Sequence, residues 1–500
     1  MCGISAIISY SNEDVIKSLL ESLYYIQHRG QDSFGIVGIQ HSQRIMLCNS
    51  LKSYKRHGLI KTEDLMNYDS SRIGNSKKLL LPTGNGNEDM PKGNVGIGHV
   101  RYPTTGGKDI NSIQPFIKRP TLKQQYSSRQ YILVHNGQVR IRPGFERVLE
   151  ELNVSKNIST DSELILNILM IELDYQKILT DEIIRLAVRK LGEYLIGSYS
   201  IILYITDVGL ITFRDINGIK PLSIGKKDDN YIINSETVGI KGADYEYMCS
   251  VDPGEVVIFY NNQYSRDVVR VKYKENCELR PCIFEWIYMA NVSSVIEGVS
   301  VYDARLKMGE YLANKIKQTL INVGYDIADI DYVVPVPETS KPSAIMVAEK
   351  LGITYRELLI KNRYVNRTFI MDSQNKRKNN IKHKFLLIDH LIRDKNIILV
   401  DDSIVRGNTL KHVVSQLRNA GARNIIVASC SAPIRYINRY GIDIQDPELL
   451  IARSKNEDEI AGELGANAVI YQSIYDMKRS IMDLNPKIKI FEMSVFEGDK

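Results

Sequence analysis

The chain has 500 residues and a mass of 56.9 kDa, about three times the commonest domain size, so we expect two domains. Its 43% hydrophobic and 25% charged residues are ordinary for a globular protein and exclude a fibrous or largely disordered chain. The net charge of +6 is spread along the chain. Because zinc-finger spacing and basic heptad helices are absent from the sequence, we expect no nucleic-acid partner.

The cysteines and the N-terminal residues bear on the cellular compartment. Six cysteines are scattered without a CxxC pair, which is typical of a reducing environment. The first residues lack the basic and apolar regions of a signal peptide. The most apolar stretch, Tyr194 to Ile205, is too short and too polar to span a bilayer. We therefore expect a cytoplasmic protein that does not bind a membrane.

The first half of the chain contains mostly strand patterns. An apolar run over Gly3–Ser9 predicts a strand that begins beside Cys2, and Ser11 is expected to cap the following helix. Further strands are predicted at Phe34–Ile39, Val95–Val100, Tyr131–Val134 and Ser198–Ile205. The excess of strands over helices indicates an α+β layered architecture.

Helical patterns alternate with short β-branched runs after Ser300. The predicted elements are, in order, Lys307–Leu320, Tyr332–Val336, Ser343–Leu351, Ile397–Val400, Thr409–Ala420 and Ile425–Ala428. This alternation is typical of an α/β domain with a parallel sheet, which binds ligands beyond the carboxyl ends of its strands. The hairpin-like stretch Val251–Val271 separates the strand-rich first half from the alternating helices and strands of the second half. We place the domains at residues 2–255 and 256–500.

The second half contains a strand, a short loop and a helix in succession, and the residues of this segment are typical of an anion-binding site. The strand pattern Asn396–Val400 leads into Asp401-Asp402-Ser403-Ile404-Val405-Arg406-Gly407-Asn408-Thr409. The backbone N–H groups of such a loop and the helix dipole bind a phosphate, although the Walker A frame is absent. Asp401 and Asp402 suit ribose hydroxyls and a hard divalent ion, but a bare Asp pair more often caps a helix or faces solvent.

The full context of this loop resembles the signature of type I phosphoribosyltransferases, which bind phosphoribosyl pyrophosphate (PRPP). Two more segments agree with the resemblance: Val334-Pro-Val-Pro-Glu338-Thr339-Ser340, and a cationic segment, Lys361 to Ile370, that is expected to close over the polyanion. The resemblance implies a PRPP site formed by Glu338, Thr339, Ser340, Lys361, Arg363, Tyr364, Arg367 and the nine residues Asp401, Asp402, Ser403, Ile404, Val405, Arg406, Gly407, Asn408 and Thr409. It also implies that Thr339, Asp401 and Asp402 hold Mg²⁺.

Cys2 is the candidate nucleophile of the first half. Its small side chain permits removal of Met1, which would leave an α-amine of pKa about 8 beside the thiol as general base. On its own, a cysteine at this position is more often a small buried strand residue. Asn136-Gly137 could likewise be an ordinary turn.

Four motifs follow Met1-Cys2-Gly3 in the first half. They are Gln27-His-Arg29-Gly30-Gln-Asp-Ser33-Phe-Gly35, Gly98-His-Val-Arg101-Tyr-Pro-Thr104, His135-Asn136-Gly137 and Ser159-Thr-Asp161-Ser-Glu163. Together they resemble class II glutamine amidotransferases, which have a four-layer αββα N-terminal-nucleophile fold. The resemblance implies an oxyanion hole at Asn136 and Gly137, with Arg101 on the α-carboxylate and Asp161 on the α-ammonium of glutamine. It adds Arg29, Gly30 and Thr104 to the glutamine site.

The two halves together resemble the family of glutamine-dependent PRPP amidotransferases over nearly the whole chain. The resemblance implies that ammonia released at Cys2 passes through an internal channel and displaces pyrophosphate from PRPP, the first step of de novo purine synthesis. It also implies a homodimer or homotetramer inhibited by purine nucleotides. Some members hold an iron–sulfur cluster on four cysteines, of which only Cys282 is matched here, so we predict no cluster. Asn291-Val292-Ser293 replaces the usual Arg-Pro-Asp near the expected channel.

Two alternatives remain open. Another class II amidotransferase would supply a different acceptor, although the PRPP signature argues against it. A PRPP-responsive regulator that binds without catalysis would be expected to lose the nucleophile or the cationic loop, yet Cys2, Lys361 and Arg363 are all present.

Overall fold

The computed structural model describes residues 2–41, 48–65, 90–102, 109–119, 129–152, 154, 158, 160–261, 265, 267–322, 326–362, 385–442, 444 and 446–498. The chain divides into two compact units. The first unit contains Met1–Pro281, Val295–Glu297 and Arg439–Asp443, and the second contains Cys282–Ser294, Gly298–Asn438 and Ile444–Lys500. Within the described ranges, the helices are all too short or too polar to cross a membrane.

The first unit contains two antiparallel sheets. Its strands are β1 (Gly3–Ile8), β2 (Ser33–His41), β3 (Cys48–His57), β4 (Val95–Arg101), β5 (Phe116–Lys118), β6 (Tyr131–Ile141), β7 (Leu195–Ile205), β8 (Gly209–Arg214), β9 (Ser223–Lys227), β10 (Asn230–Asn234), β11 (Glu246–Ser250), β12 (Glu255–Tyr260), β13 (Val268–Lys272) and β14 (Val295–Ile296). The seven-stranded sheet has the order β11-β9-β10-β1-β4-β2-β3, and the six-stranded sheet has the order β13-β12-β8-β7-β6-β5.

Helices cover the outer faces of these sheets. The helices of the unit are α1 (Ile16–Ile26), α2 (Glu146–Glu151), α3 (Asp161–Asp174), α4 (Asp181–Tyr194) and α5 (Thr237–Gly242). Ile4 of β1 packs with Ile132 of β6 in the core between the two sheets, while Ile7, on the opposite face of β1, packs with α1. Helices α3 and α4 share a core with the six-stranded sheet. The predicted αββα layers are therefore confirmed.

The strands expected in the first half are all present, but the predicted helix cap is wrong. Helix α1 begins at Ile16, and Val15 precedes it without a side-chain cap. The Ser11 hydroxyl instead bonds with Ser9 Oγ (3.0 Å) and Asn230 Oδ1 (3.3 Å). The cause is tertiary, because an asparagine from β10 competes for this hydroxyl.

The hairpin predicted between the halves consists of β12 and β13. Strand β12 pairs with β13 on one side and with β8 on the other, inside the six-stranded sheet. The border predicted at 255/256 thus falls at the first residue of β12, and these pairings keep the hairpin with the first unit through Pro281.

The second unit is built on a parallel sheet. Its strands are β15 (Val299–Ser300), β16 (Tyr332–Pro335), β17 (Thr354–Tyr355), β18 (Leu359–Lys361), β19 (Phe385–Leu387), β20 (Asn396–Asp401), β21 (Asn424–Ser429) and β22 (Ala468–Tyr471). Its helices are α6 (Val301–Asn322), α7 (Lys341–Leu351), α8 (Asn408–Asn419), α9 (Glu457–Leu464), α10 (Ile474–Met482) and α11 (Ser494–Glu497). The five-stranded sheet has the order β17-β16-β20-β21-β22, with parallel pairing throughout. The predicted alternation is confirmed.

Strands β16 and β20 lie side by side at the point where the strand order reverses. Pro335 is in register with Val400, and the Val336 N–H donates to the Val400 carbonyl at 2.8 Å. From β16 the chain enters α7, which packs on one face of the sheet, and from β20 it enters α8, which packs on the other face. The loops after these strands therefore diverge and leave a crevice, the usual ligand position in open α/β sheets.

Candidate active sites

The start of β1 places Cys2 beside the end of β4. Gly3 is in register with Val100, so Cys2 lies opposite the segment that contains Arg101. The Cys2 thiol donates to the Tyr102 carbonyl at 3.7 Å. An open cavity adjoins the thiol and is lined by Cys2, His99, Arg101, Tyr102, Ser112, Gln114, His135, Gly137, Thr160, Asp161 and Ser162. Four residues predicted for the glutamine reaction thus line one cavity.

Asn136 and Gly137 lie on β6 next to Cys2. The Cys2 backbone nitrogen donates to Asn136 Oδ1 at 3.4 Å. Asn136 is fully buried, and its Nδ2 has no hydrogen-bond partner among the described residues. A buried donor without a partner costs free energy, and such donors are expected where they stabilise charge that develops during a reaction. Gly137 has φ +154°, and a Cβ there would lie 2.0 Å from the Ser198 carbonyl oxygen, so glycine is required.

Arg101 and Asp161 bring opposite charges to the same cavity. Arg101, the last residue of β4, is only 5% exposed. Asp161 is the first residue of α3, where the helix dipole favours a carboxylate, and its Oδ2 accepts from the Val139 N–H at 3.2 Å. Thr160 caps this helix by accepting from the Glu163 N–H at 3.2 Å. A cation and an anion at one cavity suit a zwitterionic amino acid.

A buried polar network in the wall of this cavity was not predicted. His135 Nδ1 bonds with Ser162 Oγ at 3.0 Å, Gln114 Nε2 donates to Ser162 Oγ at 3.0 Å, and the His135 N–H donates to Gln114 Oε1 at 2.7 Å. Burial lowers the pKa of His135, and it lowers the pKa of His99 well below its usual value. Both histidines are therefore neutral at pH 7. Their positions inside two of the quoted motifs were the only signal in the sequence.

Arg29 and Gly30 lie behind the nucleophile and are not among the residues that line the cavity. Arg29 Nε donates to the Cys2 carbonyl at 3.1 Å. A Cβ on Gly30 would lie 2.5 Å from the Val100 backbone, so this segment packs closely against β4. The remaining glutamine-site prediction, Thr104, lies outside the described residues.

The predicted phosphate loop connects β20 to α8 in the second unit. Asp401 ends β20 and is 9% exposed, and its Oδ1 accepts from the Asp402 N–H at 3.0 Å. Ser403 Oγ donates to Asp402 Oδ1 at 2.8 Å. Gly407 precedes α8 with φ +73° and without a side-chain cap on the helix. The first N–H groups of α8 can therefore bind an anion.

The other predicted PRPP residues differ in exposure. Ile404 is 1% exposed and packs in the core, so only its backbone can face a ligand. Ser340 is buried, and its hydroxyl donates to the Val336 carbonyl at 2.6 Å. The exposed Glu338 pairs with Lys341 at 3.1 Å. Arg406 and Asn408 are exposed, whereas Thr339, Lys361, Val405 and Thr409 are partly exposed. Arg363, Tyr364 and Arg367 lie outside the described residues.

The donor atoms at the crevice fit a magnesium ion. Asp401 is the last residue of β20 and Asp402 follows it, while Thr339 lies in the segment after the carboxyl end of the adjacent β16. Carboxylate and hydroxyl oxygens are hard ligands, and Mg²⁺ in phosphate-binding enzymes uses one or two protein carboxylates together with substrate oxygens.

Comparison with known proteins covers both units. The model of the glutamine amidotransferase domain matches residues 109–241, and that of the phosphoribosyl transferase domain matches residues 304–445. The amidophosphoribosyltransferase of Haemophilus influenzae is 38% identical over 510 residues, covering 100% of this chain and 92% of that protein. The Escherichia coli amidophosphoribosyltransferase is 35% identical over 509 residues, with the same coverage.

A solved structure resembles the whole chain. It is the glutamine PRPP amidotransferase from B. subtilis complexed with ADP and GMP, which has a TM-score of 0.79 at 29% identity and covers 100% of this chain and 97% of that one. The fold and the two sites thus define an enzyme that joins a glutamine amidotransferase to a phosphoribosyltransferase. The chain belongs to the amidophosphoribosyltransferase family.

Proposed function

We propose that the first unit hydrolyses glutamine at Cys2 and that its ammonia reacts with PRPP in the second unit, giving 5-phosphoribosylamine, glutamate and pyrophosphate. This is the first step of de novo purine synthesis. The observation that carries the proposal is the cavity shared by the Cys2 thiol and the charges of Arg101 and Asp161. Beside Cys2 lies Asn136 Nδ2, which has no hydrogen-bond partner among the residues that the structure describes.

The glutamine reaction begins once Met1 is removed. The free α-amine of Cys2 takes the thiol proton, and the thiolate attacks the side-chain carbonyl carbon of glutamine. Asn136 Nδ2 and the Gly137 N–H stabilise the oxyanion of the tetrahedral intermediate. Collapse of the intermediate breaks the C–N bond, and the α-ammonium returns the proton to the leaving ammonia. Water then hydrolyses the thioester to glutamate and restores the thiol.

The PRPP reaction is a substitution at C1 of the ribose. The N–H groups of the loop at Gly407 bind the 5-phosphate, and the carboxylates of Asp401 and Asp402 bind the ribose hydroxyls. Thr339, Asp401 and Asp402 would hold Mg²⁺, which when bound offsets the charge of the departing pyrophosphate. Lys361, Arg363, Tyr364 and Arg367 close over the polyanion and exclude water.

Several finer assignments complete the proposal. Purine nucleotides act as feedback inhibitors, which is supported by the ADP and GMP bound to the relative from B. subtilis and by a similar solved structure described as the allosteric regulatory enzyme of purine biosynthesis. The protein is cytoplasmic, forms a homodimer or homotetramer and holds no iron–sulfur cluster.

Pyrophosphate release from PRPP, measured with glutamine and with ammonium, tests the proposal. We expect Cys2→Ala to retain ammonium-driven turnover and to lose glutamine-driven turnover by at least about a thousandfold, because only the latter needs the nucleophile. Cys277→Ala, which changes a partly exposed cysteine of the same unit, is the control and should retain both activities. Wild-type protein that releases no pyrophosphate with either donor would exclude the proposed transferase. An unchanged glutamine reaction in Cys2→Ala would exclude the role of Cys2.

A further inference from the structure

A buried ion pair lies directly behind Cys2. Arg29 Nη1 is 2.5 Å from Glu236 Oε1, and neither side chain has any exposed surface. The same guanidinium donates through Nε to the Cys2 carbonyl at 3.1 Å. Hydrogen bonds between charged groups are short and strong, so Glu236 restrains the orientation of the donor that holds Cys2.

The position of Glu236 is set independently of Arg29. Its N–H donates to Asn234 Oδ1 at 2.9 Å, and Asn234 is in register with Ser5 of β1. The intervening Ser235 exchanges hydrogen bonds with Ile4, since its N–H donates to the Ile4 carbonyl and its hydroxyl accepts from the Ile4 N–H, both at 3.0 Å. Glu236 is therefore anchored to the strand that begins with the nucleophile.

The Glu236 carboxylate does not cap a helix, although capping is the usual role of a polar side chain at this position. Glu236 is the N-cap residue of α5, yet its side chain makes no cap hydrogen bond. It extends instead to Arg29 and to His28, whose Nε2 lies 2.8 Å from Oε1. Glu236 is absent from the lining of the cavity, so it cannot contact glutamine there directly.

Cys2 needs such a restraint because removal of Met1 leaves it attached to the chain by one peptide bond. Its nitrogen makes a long hydrogen bond of 3.4 Å with Asn136, whereas its carbonyl accepts the shorter bond from Arg29. The carbonyl orientation fixes the plane of the Cys2–Gly3 peptide and hence the position of the Cys2 Cα, from which both the amine and the thiol extend. A displacement of about 1 Å at a reacting group can cost roughly a hundredfold in rate.

We infer that Glu236 is a positioning residue for the Cys2 nucleophile and acts through Arg29. The inference rests on the proposed role of Cys2. Glu236→Gln keeps the size of the side chain but removes its charge, so the ion pair that orients the Arg29 guanidinium is lost. We expect the kcat of the glutamine reaction to fall at least about tenfold, with the KM for glutamine within about twofold and ammonium-driven turnover unchanged.

A double-mutant cycle tests whether Glu236 acts through Arg29. Because the carboxylate serves to orient the guanidinium, the double variant Arg29→Gln/Glu236→Gln should lose no more activity with glutamine than Arg29→Gln alone. Losses that multiply would show that Glu236 acts by another route and would overturn the inference. The double variant also removes both buried charges, so it remains informative if Glu236→Gln by itself folds poorly.

Asp64→Asn is the matched control, because Asp64 is also a buried carboxylate paired with an arginine, Arg56 at 2.6 Å, in the same unit. It should retain both activities. Loss of ammonium-driven turnover in both Glu236→Gln and the double variant, or an equal loss with glutamine in Asp64→Asn, would mean that the pair only stabilises the fold, and would overturn the inference. Wild-type protein without glutamine-driven turnover would refute the proposed function itself. Full glutamine activity in Glu236→Gln beside an active wild type would refute the inference alone.

Discussion

Individual buried polar atoms distinguish the glutamine cavity from an ordinary protein interior. His99 is fully buried, and neither of its ring nitrogens has a hydrogen-bond partner in the described part of the chain. An unsatisfied polar group of this kind costs about 1–3 kcal/mol. Asn136 Nδ2 likewise has no partner among the described residues. These polar groups therefore make the protein less stable than apolar side chains of the same volume would.

The depressed pKa of His99 predicts a pH-dependent stability. As the pH falls below about 6.5, the unfolded chain binds a proton at this histidine while the folded chain does not, so the free energy of unfolding decreases, by roughly 1 kcal/mol per pH unit. His99→Leu should therefore show a shallower loss of stability between pH 7 and the lowered pKa. Urea unfolding followed by circular dichroism at several pH values measures the slope. Equal slopes for the two proteins would contradict the assignment.

The connection of β20 to α8 provides a binding site formed by backbone N–H groups rather than by side chains. Gly407 has a positive φ at the N-terminus of α8, and a Cβ there would lie 2.6 Å from Ile451 Cδ1. Glycine suits this position because it adopts a positive φ without strain and leaves room for the Ile451 side chain. The side chain of Ile451, a core residue, thus limits the size of the residue at position 407 of the phosphate loop.

Gly407→Ala should weaken PRPP binding. We expect the KM for PRPP to rise at least about tenfold with either nitrogen donor, since relief of the contact with Ile451 displaces the N–H groups of the loop. Gly352→Ala is the control, because Gly352 has φ +67° but, among the described residues, no atom within 4 Å of the added Cβ. It should cost about 1 kcal/mol in stability and leave the KM unchanged. Equal KM values for wild type and Gly407→Ala would contradict the assigned role of the loop.

At the scale of the whole molecule, two chemistries reside in two separate units of one chain. The Cys2 cavity belongs to the first unit, and the loop from Asp401 to Thr409 belongs to the second. The two sites should therefore respond differently to substitution. A substitution of Cys2 prevents the use of glutamine as nitrogen source but not that of ammonium. A substitution in the acceptor site prevents the transfer of nitrogen to PRPP from either source.

Asp402→Asn tests this asymmetry. We expect pyrophosphate release to fall at least about a hundredfold with both glutamine and ammonium, because the substitution removes a charge from the proposed ribose and Mg²⁺ site. The exposed Asp303 of α6 provides a control, since Asp303→Asn should retain both activities. Retention of ammonium-driven release in Asp402→Asn would exclude Asp402 from the acceptor site.

The sequence by itself predicted the layers of the first unit and the parallel sheet of the second, and it named the candidate residues of both sites. Strand and helix periodicities depend on local burial, and short motifs such as His135-Asn136-Gly137 keep catalytic groups adjacent in the chain. The roles assigned to those residues stay predictions, while their meeting around one cavity is a structural result.

Only the tertiary structure decided which residues, distant in sequence, support the candidate catalytic residues. Arg29 and Glu236 are 207 positions apart, and the register of β10 against β1 brings them together. The same register brings Asn230 of β10 to Ser11. Contacts between residues far apart in sequence also place Val295–Glu297 and Arg439–Asp443 in the first unit. A local pattern specifies which face of a strand is buried, but it does not specify the neighbouring strand or the register, because these depend on the packing of the whole sheet.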